Sequence, residues 1–215
     1  GEYSALAIGE AFDFATGLNL VKLRAENMAQ AGRLQSGSMA AIIGLDEYRV
    51  SDLCQDYAGE GIVVAANFNS PGQVVISGTP EAVTTIMATA KSNGARMATQ
   101  LNVSGAFHST LMAPAREALA VELNSIQISD SIYPIYANVN AQPNTLGVKI
   151  KALLIRQLEN PVLWSQTITS MSNQGIESFI EVGPGKVLQG LNKRINPQIP
   201  VSGIESIAQL EALNV

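Results

Sequence analysis

Between residues 36 and 104, the spacing of apolar positions changes repeatedly between the period of a strand and the period of a helix. Strands are predicted at 39–44, 62–67, 73–77 and 96–103, and helices at 46–57 and 80–93, the second capped by Thr79. Ser70-Pro71-Gly72 predicts the turn between the two central strands. The resulting order, strand-helix-strand-strand-helix-strand, is the ferredoxin-like arrangement. Many unrelated functions use this fold, so the order alone predicts none of them.

Helical periods dominate the flanking segments, where only two further strands are predicted. Residues 2–11 suit a short helix, Asp13 suits the cap of a helix that runs to about Ala31, and another helix must begin by Pro114. Further along, strands are predicted at 133–139 and 176–182, and helices at 153–158, 162–171 and 186–194. These elements together predict an α/β protein.

Composition and charge narrow the class of protein. The 215 residues carry a net charge of -5, and this acidic balance argues against a nucleic-acid-binding domain. Cys54 is the single cysteine, so no intrachain disulfide can form and a reducing compartment, the cytoplasm, is expected. No apolar run is long enough to suggest a transmembrane helix. Nothing suggests a metal site, since one histidine and one cysteine supply few ligands.

Basic residues are concentrated in two segments without acids, 131–158 and 182–204. The second segment holds Lys186, Lys193 and Arg194. Such runs indicate either an ordinary solvated surface or a docking surface for an acidic partner.

His108 is the only histidine of the chain, and it lies between the strand predicted at 96–103 and the helix that begins by Pro114. A lone histidine can be a hydrogen-bonded core residue or a general base. The predicted position favours the base, because the positive end of a helix dipole keeps an imidazole neutral and able to accept a proton.

Arg24 lies on the predicted helix that follows Asp13, on one ridge with Leu20 and Met28. None of the neighbouring positions one turn away is acidic, so the guanidinium has no local counter-ion. An arginine drawn toward an apolar face requires an anion, which can come from a distant carboxylate of the protein or from a ligand.

Six stretches, in this order, give the chain a family resemblance: GEYSAL, VKLRAENM, NSPGQVVISG, GAFHS, RQLENPVLW and EVGPGKVLQGL. The chain resembles the malonyl-CoA:acyl carrier protein transacylases of fatty acid biosynthesis along its whole length. The resemblance implies an α/β-hydrolase-like large subdomain, 1–35 and 105–215, with an inserted ferredoxin-like subdomain, 36–104. It also implies a monomer that needs no cofactor, since malonyl-CoA and the phosphopantetheinyl acyl carrier protein are substrates.

The resemblance assigns roles to individual residues. His108 corresponds to the base, and the backbone carbonyl of Gln157 to the group that orients it. Arg24 corresponds to the arginine that binds the free malonyl carboxylate, with Met28 beside it in the substrate site. Phe107 corresponds to the position where a bulky ring favours malonyl over branched units, although core packing alone would also explain it.

Two further expectations follow from the resemblance. Lys193 and Arg194 are expected to contact the acidic carrier protein. The family's nucleophile is the serine of a Gly-x-Ser-x-Gly elbow whose last glycine corresponds to Gly1, so that serine would lie two residues before Gly1. We therefore expect residues 1–215 alone to lack transacylase activity. A non-catalytic interaction module and a serine hydrolase or thioesterase on the same core remain alternative functions.

Overall fold

The computed structural model describes residues 1–212, and it is built from two regions that meet at the segment around His108. The helices are α1 Glu2–Ile8, α2 Phe14–Leu34, α3 Glu47–Gln55, α4 Pro80–Ser92, α5 Ala113–Ser125, α6 Gly147–Gln157, α7 Trp164–Asn173, α8 Val187–Ile195 and α9 Ile207–Glu211. The strands are β1 Ser38–Ile43, β2 Val63–Ser70, β3 Gln73–Gly78, β4 Met97–Gln100, β5 Ile135–Tyr136, β6 Pro143–Asn144, β7 Phe179–Val182 and β8 Val201–Ile204. A short 3-10 helix spans Thr110–Met112.

An antiparallel sheet with strand order β2-β3-β1-β4 forms the first region. Its elements follow one another as β1-α3-β2-β3-α4-β4, which confirms the predicted order. Successive side chains of a strand point to opposite sides of a sheet. In this sheet, apolar side chains lie on both faces. Ala40 and Ile42 face the core beneath α3 and α4, whereas Met39 belongs to a smaller cluster that Phe107 completes from outside the sheet.

Helices α1, α2, α5 and α6 pack around a second core, which forms the centre of the other region. Its fully buried members include Leu6, Leu20, Leu119, Leu123 and Leu158. Asp13 caps α2 as predicted, accepting a hydrogen bond from Thr16 N at 2.7 Å. The cap therefore fixes the start of the helix that carries Arg24.

Strands β7 and β8 form a separate parallel pair, with Phe179 opposite Val201 and Val182 opposite Ile204. Apolar side chains of this pair are exposed, Ile180 by 47% and Val182 by 78%. Within residues 1–212, no helix is both long enough and apolar enough to cross a membrane.

Three sequence predictions are wrong in detail. The strand predicted at 96–103 ends at Gln100, and its buried position is Ala98, whereas Met97 is 49% exposed. The strand predicted at 133–139 is reduced to Ile135–Tyr136, because the chain turns back to pair these residues with Pro143–Asn144. Helix α6 begins at Gly147, earlier than predicted, since Asp130 Oδ1 accepts a hydrogen bond from Gly147 N at 2.8 Å.

Candidate active site

His108 lies in a tight turn between the end of β4 and the 3-10 helix. Its φ of +60° is in the left-handed region, which residues other than glycine rarely adopt. The buried Ser109 side chain closes the turn, donating to Ala106 O at 2.6 Å and accepting from Leu111 N at 3.3 Å. The backbone around His108 is therefore held by local hydrogen bonds in a conformation that it would not otherwise prefer.

Glycine allows this turn to approach helix α2 closely. A Cβ atom on Gly32 would overlap the carbonyl oxygen of Ser104, and one on Gly37 would overlap the backbone nitrogen of Ala106. The segment before His108 thus lies against the backbone at the end of α2. This close packing brings the histidine to the helix that carries Arg24.

Two backbone carbonyls face the His108 ring. Nδ1 lies 3.0 Å from Gln157 O, so the predicted contact with this carbonyl is present. A carbonyl can only accept, so Nδ1 carries the hydrogen and Nε2 keeps a lone pair. Burial lowers the pKa of His108 below its usual value. The Gln157 carbonyl opposes this shift, the charge of Arg24 adds to it, and the Asn160 carbonyl opposes it.

The histidine also lines a cleft of about 460 Å³ between the first region and the turn. Most of the cleft wall is apolar, with Val63, Ala65 and Phe68 from β2 on one side. Glu159 lies at the same cleft, and its Oε2 accepts from Arg116 Nε at 2.6 Å. The His108 ring is therefore accessible from this cleft, and the carboxylate of Glu159 in the cleft is already paired with Arg116.

Arg24 lines a second, smaller cavity of about 110 Å³, which Gln157 also lines. Among residues 1–212, no carboxylate lies within 4.0 Å of its guanidinium. The cavity is formed by Gly1, Glu2, Tyr3, Arg24, Asn138, Leu154 and Gln157. Two buried oxygens of these residues, the Tyr3 hydroxyl and Gln157 Oε1, have no hydrogen-bond partner among the described residues. The site thus combines a cation with polar atoms that a ligand or water could satisfy.

Glu2 is the acid closest in effect to Arg24, but its carboxylate is engaged elsewhere. Its Oε2 accepts from Asn138 Nδ2 at 2.6 Å and from Asn138 N at 3.2 Å. Burial raises the pKa of Glu2, and the hydrogen bonds from Asn138 and the charge of Arg24 oppose the rise. Asn138 therefore holds the one nearby carboxylate away from the guanidinium.

Comparison with known proteins gives the family. The family model described as acyl transferase domain matches residues 1–209. This chain belongs to that family. An Escherichia coli K12 protein named malonyl CoA-acyl carrier protein transacylase is 43% identical over 212 residues, which cover 99% of this chain and 69% of the relative.

Solved acyl transferases have the same fold. The crystal structure of an acyl carrier protein S-malonyltransferase from Vibrio cholerae superimposes with a TM-score of 0.94 at 43% identity, covering 99% of this chain and 69% of that one. A type II polyketide acyl carrier protein has been solved in complex with its malonyl-transacylase. That structure matches with a TM-score of 0.93 at 40% identity, covering 99% of this chain and 69% of that one.

Met28 and Phe107, expected beside the substrate, both lie in apolar packing within this acyl transferase domain. Met28 is 8% exposed and belongs to the helical core. Phe107 packs against both that core and the Met39 cluster on the sheet. Their contacts are those of packing residues, and a role in substrate selection stays a prediction.

Lys193 and Arg194 are both exposed near the end of α8, but they differ in their contacts. Arg194 Nη1 donates to Gln73 Oε1 at 2.9 Å and so links α8 to the sheet. Lys193 forms no salt bridge or hydrogen bond within residues 1–212. Of the two, only Lys193 has a head group without a partner in this part of the chain, although neither charge is neutralised there.

Sequence reasoning missed Glu2, Tyr3, Asn138 and Asn160. The first two follow Gly1 in the GEYSAL stretch, and Asn160 lies in RQLENPVLW, so the resemblance held the signal for these three. Asn138 lies in an irregular segment with no periodic pattern. Within residues 1–212, no group of three or more His, Cys, Asp or Glu side chains is placed to hold a metal ion.

Proposed function

We propose that this acyl transferase domain moves a malonyl group from coenzyme A to the phosphopantetheine thiol of acyl carrier protein. One observation carries the proposal: His108, whose Nδ1 faces the Gln157 carbonyl, and Arg24, which has no ion pair within residues 1–212, both adjoin Gln157. A base and a carboxylate-binding cation are two of the groups that this transfer uses, beside the serine nucleophile. The names of the relatives agree with it.

The reaction proceeds in two half-reactions of the same kind. Nε2 of His108 takes the hydroxyl proton as the serine oxygen attacks the malonyl thioester. The C–S bond then breaks, a seryl ester forms, and the proton passes to the coenzyme A thiolate. In the second half, His108 takes the proton of the carrier thiol, whose sulfur attacks the ester, and the serine regains its proton. The family pattern puts this serine two positions before Gly1.

Arg24 gives the transfer its specificity for a dicarboxylic acyl group. A planar guanidinium can bind the free malonyl carboxylate with two parallel hydrogen bonds. A hydrolase or thioesterase on the same core has no need of this cation. For this reason the unpaired charge of Arg24 favours malonyl transfer over simple hydrolysis.

The finer description of the fold belongs to the same proposal. We assign residues 36–104 to a ferredoxin-like subdomain inserted into an α/β-hydrolase-like subdomain formed by 1–35 and 105–215, of which 213–215 lie outside the described residues. The matching element order and the sheet order β2-β3-β1-β4 support this assignment. The carrier protein is proposed to dock near Lys193, with the solved complex of a carrier and its malonyl-transacylase as the supporting comparison.

Replacing Arg24 tests the proposed function directly. In the full-length enzyme, Arg24→Ala should lower kcat/KM for malonyl-CoA about 10- to 100-fold, since a charge-assisted pair contributes about 1.5–3 kcal/mol. Acetyl-CoA has no free carboxylate, so its kcat/KM should change little. Arg24→Lys keeps the charge without the planar fork and should restore only part of the loss.

Arg33→Ala is the matched control, because Arg33 is an exposed arginine in the last turn of the same helix. It should leave both substrates unchanged. An unaltered malonyl-to-acetyl ratio in Arg24→Ala would show that the arginine is structural, and the proposed substrate would lose its support.

A further inference from the structure

Gln157 contacts His108 and also lines the Arg24 cavity. The residue is 5% exposed and is the last residue of α6. Its Nε2 donates to Asn160 O at 3.0 Å and to Pro161 O at 3.3 Å. It also lies 3.4 Å from His108 Nδ1. One side chain thus contacts both the histidine and the turn that follows the helix.

The amide hydrogens of Gln157 leave only one arrangement for the histidine. A carboxamide nitrogen has two hydrogens, and the carbonyls of Asn160 and Pro161 accept both of them. No hydrogen remains for His108 Nδ1, so Nδ1 cannot act as an acceptor there. It must carry its own hydrogen and donate to Gln157 O at 3.0 Å.

The opposite orientation of the carboxamide is unfavourable. A flipped amide would place Oε1 against two carbonyl oxygens, with four electron-rich lone pairs facing it and no hydrogen between them. In the observed orientation Oε1 instead has no partner among the described residues. A buried acceptor without a partner is unfavourable, so the contacts of Nε2 with the turn must outweigh that loss.

We propose that the Gln157 side chain is a positioning residue that selects the Nδ1–H tautomer of His108. It does so by bonding the turn at residues 160–161 back to α6, which holds the Gln157 carbonyl against Nδ1. The role is distinct from that of the Gln157 carbonyl, which every substitution at this position retains. It rests on the contacts of His108 and holds whether or not the proposed function is correct.

Because His108 is the only histidine, its ring nitrogens can be observed without overlap. Long-range ¹H–¹⁵N spectra of the uniformly labelled chain, recorded from pH 5 to 8, report which nitrogen carries the hydrogen and where the ring titrates. We expect the Nδ1–H tautomer in the wild-type chain at neutral pH. Finding the Nε2–H tautomer there overturns the proposal without any variant.

Two substitutions should move the titration of His108 in opposite directions. Gln157→Glu places a carboxylate near Nδ1, and an anion at this distance should raise the midpoint by about one unit or more. Gln157→Met keeps the length of the side chain but cannot bond the turn. The Gln157 carbonyl should then move away from Nδ1. The midpoint of the His108 titration should fall, and the Nε2–H tautomer should become populated.

The charged groups already near His108 are the same in all of these proteins: Arg24 on α2, and Glu159 with its partner Arg116. Gln166→Met is the matched control, since Gln166 is a partly buried glutamine of α7 whose Nε2 lies 3.4 Å from Glu47. It should leave the spectrum unchanged. In the full-length enzyme, Gln157→Met should lower kcat more than it raises KM.

Unchanged ring signals in both Gln157 variants contradict the proposal. Shifts of both variants in one direction, shared by the Gln166 control, also contradict it, because they would report general loosening of the fold. If Gln157→Met does not fold, the wild-type tautomer and the Gln157→Glu titration decide the question.

Discussion

The centres around His108 and Arg24 both adjoin Gln157, but they differ in how far their polar groups are paired. At His108, the ring nitrogen Nδ1 faces the Gln157 carbonyl, and the neighbouring acid, Glu159, is paired with Arg116. At Arg24, the guanidinium has no ion pair within residues 1–212, and two buried oxygens nearby have no partner. Polar groups at the His108 centre are thus bonded to other groups of the chain, whereas the guanidinium and the two buried oxygens at the Arg24 centre have no such partner within the described residues.

This difference indicates which part of the reaction each centre serves. A general base must present the same lone pair in every cycle, so fixed backbone acceptors suit it. A site for an anionic group needs a cation that no internal carboxylate neutralises. The satisfied centre therefore suits proton transfer, and the unsatisfied centre suits substrate binding.

The largest expected effect comes from replacing His108, and unlike the effect of replacing Arg24 it should not depend on the acyl group. In the full-length enzyme, His108→Ala should lower the acylation rate about 10²- to 10⁴-fold, the usual contribution of a general base. Malonyl-CoA and acetyl-CoA should lose equally, because the base does not contact the carboxylate. Steady-state rates with both substrates check this. A rate near that of the wild type would return His108 to the role of a core residue.

The pH dependence tests whether the centres are coupled. Because burial and Arg24 lower the pKa of His108, the base stays neutral at pH 7, and activity should fall only below about pH 6.5. Removing the charge in Arg24→Ala should raise the pKa of His108 and move the acidic limb of kcat/KM for acetyl-CoA to higher pH. Arg33→Ala should not move it. A limb that stays in place in Arg24→Ala would mean that the centres act independently.

The lowered pKa of His108 also makes the stability of the fold depend on pH. A histidine with a lowered pKa binds fewer protons in the folded than in the unfolded chain, so it favours unfolding as pH falls below about 6.5. Lowering the pH from 7.5 to 5.5 should therefore lower the urea midpoint of the wild type more than that of His108→Ala. Urea midpoints at pH 7.5 and 5.5 for both proteins measure the difference.

A smaller effect is expected from Asn138, which holds Glu2 away from Arg24. Asn138→Leu removes the Nδ2 donor and should let the Glu2 carboxylate compete for the guanidinium. Loss of one such bond corresponds to about 0.5–1.5 kcal/mol, or about a 2- to 12-fold rise in KM for malonyl-CoA. Adding Glu2→Gln should reverse the rise. Failure of the double variant to recover would place the damage in the fold.

The smallest effect concerns the proposed carrier surface, outside both centres. Lys193→Glu should raise KM for acyl carrier protein severalfold, most strongly at low salt, and leave KM for malonyl-CoA unchanged. Arg194→Gln should instead act mainly on stability, because Arg194 bonds Gln73. Equal loss with both substrates in Lys193→Glu would indicate a damaged fold.

The order of elements and the contact between His108 and Gln157 were predictable, whereas the details of the site were not. Local patterns predict β1, β2 and β3 because each of these strands packs its own apolar face. The end of β4 at Gln100 and the φ of His108 depend on close packing of the turn against α2, through Gly32 and Gly37. The pairing of Glu2 with Asn138 joins residues 136 positions apart, which no local pattern encodes.

The left-handed backbone of His108 has a consequence for the choice of an inactive reference protein. Non-glycine residues held at such a φ cost about 1–3 kcal/mol, and alanine at position 108 would keep that strain while losing the ring contacts. Glycine would relieve it. His108→Gly should therefore melt at a higher temperature than His108→Ala, and a histidine at this position represents stability given up for chemistry.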